Sequence, residues 1–228
     1  MSLKFKARNN FTQRRAILCE GSSDEAFFRS LIAKHNLPPF SIRHTGDGDK
    51  NDRGGIDKFE QLLLGIPTWE GFGDLTDIVV VADNDATPTE NFKKVQKQIR
   101  AAHYGVLEQK YIVPNSPFSR VAGTPGMAVA MLPTANVVGK LETLCLKAAQ
   151  DAAPAVSACI EAFVACTKTT AWPSPTLDEL KLRALLSARH RKNPSVGLGK
   201  VWNENPELIP LDNPCFNEIV SFLGSYRT

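Results

Sequence analysis

The sequence predicts an α/β fold in which a mainly parallel, four-stranded sheet is flanked by helices and followed by a C-terminal helical extension. Short apolar runs read as buried strands, and amphipathic stretches lie between them. Regular alternation of this kind implies a parallel sheet with right-handed crossovers. Beyond residue 150 the strand patterns stop and only helical patterns follow. We therefore expect an α/β domain over residues 1–150 and a helical extension over residues 151–228.

Taken in chain order, the predicted strands cover residues 15–19, 40–44, 77–82 and 127–132. A helix follows the first strand, where Ser22, Ser23 or Asp24 can cap it. Further helices are predicted over about residues 56–64, 89–102 and 135–144, and Pro88 suits a first-turn position. The segment 104–125 is turn-rich and predicted to be irregular. The extension is predicted to hold helices over residues 153–167, 177–190 and 215–223.

Composition excludes some classes of protein. The chain has 228 residues with 43% hydrophobic and 22% charged residues, which is typical of a globular protein and not of a disordered or fibrous one. No apolar run is long enough to span a membrane and no signal peptide is visible. The five cysteines lack any C-x-x-C spacing and sit mostly among apolar neighbours, so we expect reduced, buried thiols and a cytoplasmic location.

Acidic residues follow two of the predicted strands. Glu20-Gly21 comes directly after the first strand, and Asp83-Asn84-Asp85 ends the third. Because the carboxyl ends of parallel strands meet at one edge of a sheet, Glu20, Asp83 and Asp85 are predicted to converge. Carboxylates held close together repel one another unless a cation intervenes, and oxygen ligands suit Mg²⁺ or Mn²⁺. The pattern predicts a divalent-metal site.

This order of motifs resembles the TOPRIM domain of topoisomerases, primases and OLD-type nucleases. The resemblance is carried by Glu20-Gly21, with Asp24 after it, and by Asp83-x-Asp85, and it covers about residues 14–145. Leu132-Pro133 followed by Gly139-x-Leu141-Glu142 is similar to small, stand-alone TOPRIM-like proteins of uncharacterised function. The resemblance implies Mg²⁺-dependent phosphoryl transfer on nucleic acid, and we expect hydrolysis because no nucleotide-triphosphate motif is visible.

The resemblance also implies individual roles. Glu20 would be a metal ligand or general base, Asp83 a direct ligand, and Asp85 a direct or water-mediated one, with Glu142 as a fourth carboxylate. Such nucleases usually carry a further basic residue, for which Lys140, Lys192 and Lys200 all remain open. Metal polarises the phosphoryl group and activates water, while a carboxylate accepts the proton.

Other residues are predicted to meet the substrate, a nucleic acid or a nucleotide. Gly21 leaves room where backbone approaches a phosphate, beside the helix N-terminus at Ser22. The basic run Arg189, Arg191 and Lys192 is expected near the acidic site to guide a polyanion. The glycine-rich segment 46–55 is interpreted as a mobile loop over the site, in which Lys50 and Arg53 could reach a phosphate.

Three alternatives stay open. Asp83, Asp85 or Asp24 could serve only as helix caps, and Glu142 could be an ordinary exposed acid. Asp83-Asn-Asp-Ala-Thr87 looks like the signature of haloacid dehalogenase-type phosphatases, with Asp83 as nucleophile, but that reading leaves Glu20-Gly21 unexplained. The chain could also be a TOPRIM-like module that binds metal, nucleotide or partner without catalysis, such as a sensor in phage defence.

Overall fold

The computed structural model describes residues 10–46, 54–105 and 109–226 and confirms the α/β class. Within those residues, a five-stranded, mostly parallel sheet is accompanied by eight α-helices. The strands are β1 (Arg15–Cys19), β2 (Ser41–His44), β3 (Asp77–Asp83), β4 (His103–Tyr104), β5 (Gln109–Lys110), β6 (Arg120–Val121) and β7 (Gly126–Leu132). The helices are α1 (Ser22–His35), α2 (Phe59–Gly65), α3 (Pro88–Ala101), α4 (Leu141–Asp151), α5 (Pro154–Cys166), α6 (Ser174–Arg189), α7 (Leu198–Glu204) and α8 (Asn217–Gly224).

The main sheet has the strand order β2-β1-β3-β7-β6. Both β2 and β3 pair with β1 in parallel. Gly126 N donates to Thr76 O at one end of β3 and β7, and Asn84 N donates to Leu132 O at the other, so these two strands also run in the same direction. The apolar runs of β3 and β7 are buried almost throughout, which is typical of central parallel strands.

The segment predicted to be irregular contains three short strands. In it β4 pairs with β5 in an antiparallel ribbon, and β6 pairs antiparallel with β7. The prediction of four strands missed β6 because a two-residue strand carries no measurable alternation of polar and apolar residues. Its position is set by pairing, in which Arg120 lies opposite Ala128 and Val121 opposite Met127.

Contacts divide the chain into two units. The first contains the chain up to Ser22, Pro39–Ala82 and Thr89–Met131. Its core is formed by side chains of β1, β3 and β7 together with α2 and α3, including Leu18, Phe59, Val80 and Ile99, all of which are fully buried. This unit therefore contains the sheet and the helices that cover the face bearing Leu18 and Val80.

The second unit contains Ser23–Pro38, Asp83–Pro88 and Leu132–Thr228. Its core includes an aromatic cluster in which the ring of Phe27 lies 5.0–5.6 Å from the rings of Phe28, Trp202 and Phe216. Helices α4, α5 and α6 pack against one another. The boundary predicted near residue 150 falls inside this unit, at the end of α4.

One predicted helix begins later in the structure, and one helix of the structure was not predicted. The helix expected from residue 135 begins only at Leu141, because Asn136 and Gly139 have positive φ angles of 60° and 136° that no helix accommodates. Helix α7 was missed because it has only seven residues between two turn-rich segments. None of the helices in the described residues is long and apolar enough to cross a membrane.

Candidate functional site

In the first unit, the backbone at Glu20 is held by the two ends of the glycine-rich segment. Glu20 O accepts hydrogen bonds from Thr45 Oγ1 at 2.9 Å and from Gly55 N at 3.2 Å. Gly54 has φ +76°, and a Cβ there would lie only 2.1 Å from Glu20 O. Lys50 and Arg53 lie outside the described residues, so their contacts with a phosphate stay a prediction. The two ends of the glycine-rich segment, at Thr45 and Gly55, hold the backbone immediately after β1.

Gly54→Ala is expected to destabilise the first unit strongly. An added methyl group would collide with a backbone oxygen, which cannot turn away, and the left-handed backbone adds strain of about 1–3 kcal/mol. Thermal unfolding should report a Tm lower by at least ~2–4 °C per kcal/mol lost. Gly65→Ala is the matched control, since a Cβ there meets nothing within 4 Å. Equal melting temperatures for the two variants would contradict this account.

In the second unit, Asp83 lies at the end of β3 and binds the start of α4. Its Oδ1 accepts a hydrogen bond from Leu141 N at 3.0 Å. Leu141 is the first residue of α4, so its N–H has no partner within the helix. The capping role considered for Asp83 is therefore present in the structure, although the capped helix is α4 and not the helix that follows β3. The hydrogen bond from Leu141 N uses one lone pair of the Asp83 carboxylate, and the negative charge of that carboxylate lies at the N-terminus of α4.

Helix α6 holds the residues that start α4. Lys140 Nζ donates to Glu179 Oε2 at 2.8 Å, and Thr143 Oγ1 donates to Asp178 Oδ2 at 2.8 Å. Arg183 binds the other oxygen of Glu179 through Nε and Nη2, at 3.0 and 2.8 Å. Neither Glu179 nor Asp178 could be identified from the sequence, because they contact residues 39 and 35 positions earlier in the chain.

Lys140 is the basic residue beside Asp83. Its side chain is 19% exposed. This partial burial works to lower the pKa of Lys140, but the bond to Glu179 and the negative charges of Glu142, Glu179 and Asp83 outweigh it and hold the pKa above its ordinary value. The bond from Lys140 lowers the pKa of Glu179 in return. Of the three lysines left open by the sequence, Lys140 thus has electrostatic contact with a candidate metal ligand, and it remains a cation at neutral pH.

Glu142 lies in the first turn of α4 and is half-buried. Burial raises the pKa of Glu142, and the charge of Lys140 opposes this shift only in part. Burial is the main cause that raises the pKa of the Cys145 thiol, and the negative charges of Glu142, Asp24 and Asp83 raise it further. These carboxylates of the second unit therefore share one neighbourhood around the start of α4.

Glu142→Gln is expected to stabilise the protein at neutral pH. A group with a raised pKa in the folded state contributes stability below its unfolded pKa of about 4.3 and loses it as the pH rises through the folded value. Glutamine does not ionise, so the variant does not lose this stability as the pH rises. The Tm of the variant should therefore exceed that of the wild type at pH 7, and the difference should vanish near pH 4. Glu207→Gln removes the same charge at an exposed position and serves as the control. A wild-type protein that is more stable than the variant at pH 7 would contradict the expectation.

Asp85 is exposed and its backbone joins the loop between β7 and α4. It has φ 46°, and its carbonyl oxygen accepts a hydrogen bond from Gly139 N at 2.8 Å. Asn84, fully buried between the two aspartates, donates from its side-chain nitrogen to Thr134 O and Val137 O at 2.7 Å each. Asn84 therefore fixes the loop that leads into α4, and this explains why the predicted helix starts late.

The carboxylates have suitable chemistry for a hard cation, but they are not arranged as a complete ligand set. Among the described residues, no group of three or more His, Cys, Asp and Glu side chains is placed to hold a metal ion. Glu20 belongs to the first unit, while Asp83, Asp85 and Glu142 belong to the second. Shared coordination by Glu20 and the two aspartates stays a prediction.

The basic run after α6 is only partly available to a ligand. Arg191 and Lys192 are exposed, whereas Arg189 is half-buried and its Nη1 donates to Leu208 O at 3.5 Å. Between them, His190 is buried and its Nδ1 accepts a hydrogen bond from Asn193 N at 2.9 Å. The second unit therefore offers two freely accessible cations at this position.

The protein is of the α/β class, and Asp83, the last residue of β3, binds the N-terminus of α4, which is rich in charged side chains. Residues 14–225 match the family model DUF3226, described as a protein of unknown function, and the chain belongs to this family. No curated protein and no solved structure matches the chain.

Proposed function

We propose that the protein carries out Mg²⁺- or Mn²⁺-dependent phosphoryl transfer on nucleic acid, as a nuclease of the TOPRIM type. The observation that carries this proposal is Asp83, placed at the carboxyl end of a central parallel strand with Lys140 in electrostatic contact. Ligands of open parallel sheets bind at this edge. A carboxylate to bind a cation and a lysine to face the phosphate are the two charges that the reaction needs.

Each residue has a definable part in such a reaction. Asp83 would hold the cation together with Glu20 and Asp85, and the bound metal would polarise the phosphoryl group and activate water. Lys140, oriented by Glu179, would stabilise the negative charge that develops on the phosphate. Glu142 binds a proton more readily than an exposed glutamate does, which suits proton transfer better than permanent charge.

A cleavage assay with a metal titration tests the proposal. Purified protein is incubated with end-labelled single-stranded and duplex DNA and RNA in Mg²⁺ or Mn²⁺, with EDTA as the control. Products that appear only with the metal, and in proportion to its concentration, support phosphodiester hydrolysis. Absence of cleavage for every substrate and both metals, in protein that is folded and binds Mn²⁺, would exclude the nuclease.

A non-catalytic module is the second candidate. It is favoured by the absence, in the described residues, of three ligands already positioned for a metal. Such a module would bind a cation, nucleotide or nucleic acid through the same charges without turnover. Calorimetric titration with Mn²⁺ and with a labelled oligonucleotide, beside the cleavage assay, separates the two candidates: binding without products supports the module.

The proposed location is the cytoplasm. The described cysteines are all free thiols, although the expectation that they are buried was wrong for Cys159 and Cys166, which are exposed. Free thiols are typical of a reducing compartment.

Neutralising the basic run is expected to weaken nucleic-acid binding. Arg189, Arg191 and Lys192 changed together to Gln should lower affinity and reduce the slope of log K against log salt by up to ~0.9 per lost phosphate contact. The matched control is Lys93, Lys97 and Arg100 changed to Gln, since these exposed residues of α3 carry the same charge. Fluorescence anisotropy at several salt concentrations measures both variants. Parallel lines of equal affinity for wild type and the first variant would show that this run is only a solvated helix end.

A further inference from the structure

The two exposed cations after α6 lie at the corner of a tight turn. Asn193 N donates to His190 O at 3.1 Å, which closes a four-residue β-turn. Arg191 and Lys192 occupy the two central positions of this turn and are exposed. His190 N donates to Leu186 O at 2.8 Å, so the turn is joined directly to the end of α6. Backbone hydrogen bonds therefore fix both ends of the pair of cations.

His190 holds this turn through its buried side chain, which is only 6% exposed. Its Nδ1 accepts a further hydrogen bond from Asn193 N at 2.9 Å. An imidazole nitrogen that accepts carries no proton, so the proton of the neutral ring is on Nε2. Nε2 lies 3.6 Å from Glu204 Oε2, which is too far for a hydrogen bond. The hydrogen bond at Nδ1 is thus the contact through which the ring acts on the turn.

Glu204 holds the same turn from α7, of which it is the last residue. Its Oε2 accepts a hydrogen bond from Asn193 Nδ2 at 2.7 Å. Asn193 is therefore fixed through its backbone by His190 and through its side chain by Glu204. By charge alone, a carboxylate beside the basic run would oppose the binding of a polyanion. Charge and support of the turn thus predict opposite effects for the loss of Glu204.

We propose that His190 is a positioning residue, which holds Arg191 and Lys192 as a preformed pair for two neighbouring phosphates of one nucleic-acid strand. The inference rests on the proposed function for the class of ligand. The Cα atoms of consecutive residues are about 3.8 Å apart, and neighbouring phosphates of one strand are spaced by about 3.4 Å along the helix axis. Phosphates across the major groove are separated by about 12 Å. The pair therefore fits the backbone of one strand.

The two side chains make different contacts with a phosphate. The planar guanidinium of Arg191 can donate two parallel hydrogen bonds, whereas Lys192 acts as a point charge. Contacts to phosphates carry no base sequence, so the pair raises affinity for any strand. Neither side chain touches the reacting phosphate in this proposal, and their loss affects binding and not the rate at saturation.

The fixed turn raises affinity because its residues are ordered before the ligand arrives. Residues that become ordered only on binding lose conformational entropy at that moment, and this loss weakens the complex. Loosening the turn while keeping both cations is expected to lower affinity by about three- to tenfold. This effect separates a positioning residue from a residue that merely adds charge.

Variants of His190 test the proposal by fluorescence anisotropy with labelled single-stranded oligothymidylate, in EDTA so that no metal-dependent cleavage occurs. His190→Leu fills the buried space but offers no acceptor, so affinity should fall by about three- to tenfold. His190→Asn presents a carbonyl oxygen near the position of Nδ1 and should bind as the wild type does. His35→Leu is the control, since it removes a hydrogen bond to Leu211 O elsewhere in the second unit. It should lower the Tm and leave the affinity unchanged.

Variants of Glu204 distinguish position from charge. Glu204→Gln removes the charge but keeps an oxygen for Asn193 Nδ2, so its affinity should equal or exceed that of the wild type. Glu204→Leu removes the charge and the acceptor, and its affinity should fall by about three- to tenfold. If charge alone mattered, both variants would bind more tightly than the wild type.

A double-mutant cycle shows whether His190 acts through the two cations. Arg191→Gln combined with Lys192→Gln should lower the slope of log K against log salt by about 1.4, or about 0.7 for each phosphate contact on a single strand. His190→Leu should lower affinity no further in this background. An equal further loss would show that His190 acts elsewhere, and would overturn the proposal.

Other outcomes would also overturn it: wild-type affinity in His190→Leu, equal losses in His190→Asn and His190→Leu, tighter binding by Glu204→Leu, or a wild-type protein that does not bind oligothymidylate at low salt. If His190→Leu does not fold, the opposite signs expected for the two Glu204 variants decide the question. Cleavage is measured separately with Mn²⁺. Absence of cleavage with the expected binding pattern rejects the nuclease alone, and cleavage with unchanged binding in these variants rejects this inference alone.

Discussion

Asp83→Asn is expected to abolish metal-dependent cleavage while leaving the fold intact. The amide keeps the shape of the side chain and retains an oxygen that can accept the hydrogen bond from Leu141 N, so α4 keeps its cap. It removes the negative charge that would hold the cation. Because a metal supplies several kcal/mol of transition-state stabilisation, we expect cleavage to fall by at least ~100-fold. Initial rates at saturating Mn²⁺, together with the Tm of both proteins, measure the effect.

Asp83→Ala separates the two roles of this residue. It removes the cap as well as the charge, and loss of a helix cap costs about 1 kcal/mol, or ~2–4 °C in Tm. The Asn variant should therefore melt at the wild-type temperature, or slightly above it where carboxylate repulsion is relieved, and the Ala variant below. Wild-type cleavage in Asp83→Asn would reject the catalytic role. A large fall in the Tm of Asp83→Asn would favour a purely structural carboxylate.

The sheet could be predicted from the sequence because its central strands are apolar on both faces. Residues 15–19 and 77–82 form β1 and most of β3, and these strands are adjacent and parallel as expected. Turn residues marked their ends, so Glu20 was correctly placed directly after β1 and Asp83 at the end of β3. Local pattern was sufficient here because strands that are buried on both faces appear in the sequence as nearly continuous apolar runs.

Long-range contacts were not predictable in this way. Glu179 and Asp178 look like ordinary exposed acids of α6, yet they bind Lys140 and Thr143 at the start of α4. Asn84 was read only as a spacer between two aspartates, although its buried amide fixes the loop before α4. Each of these residues acts through a partner far away in the chain. The packing of α6 on α4 brings Glu179 and Asp178 to their partners, whereas Asn84 reaches its partners because the ends of β3 and β7 are neighbours.

The same packing gives Lys140 a defined orientation. A surface lysine samples many rotamers, and holding it in place costs side-chain entropy. Here Glu179 accepts from Nζ while being fixed itself by two bonds from Arg183, so the ammonium group is held near Asp83 and Glu142 before any ligand arrives. Charges positioned in advance stabilise a transition state better than charges that must move to reach it.

Lys140→Met is expected to reduce cleavage by ~10²–10³-fold, the usual effect of removing one group that stabilises developing charge. Methionine keeps much of the apolar stem but leaves Glu179 without its lysine partner, so the Tm should also fall. Lys140→Met combined with Glu179→Gln removes both charges and should recover the Tm without recovering activity, because no cation then faces the phosphate. Lys192→Met and Lys200→Met, which change the other two candidate lysines, should retain cleavage. If the double variant regained activity together with stability, Lys140 would be only a structural partner of Glu179, and the cation of the reaction would have to be sought in the basic run after α6.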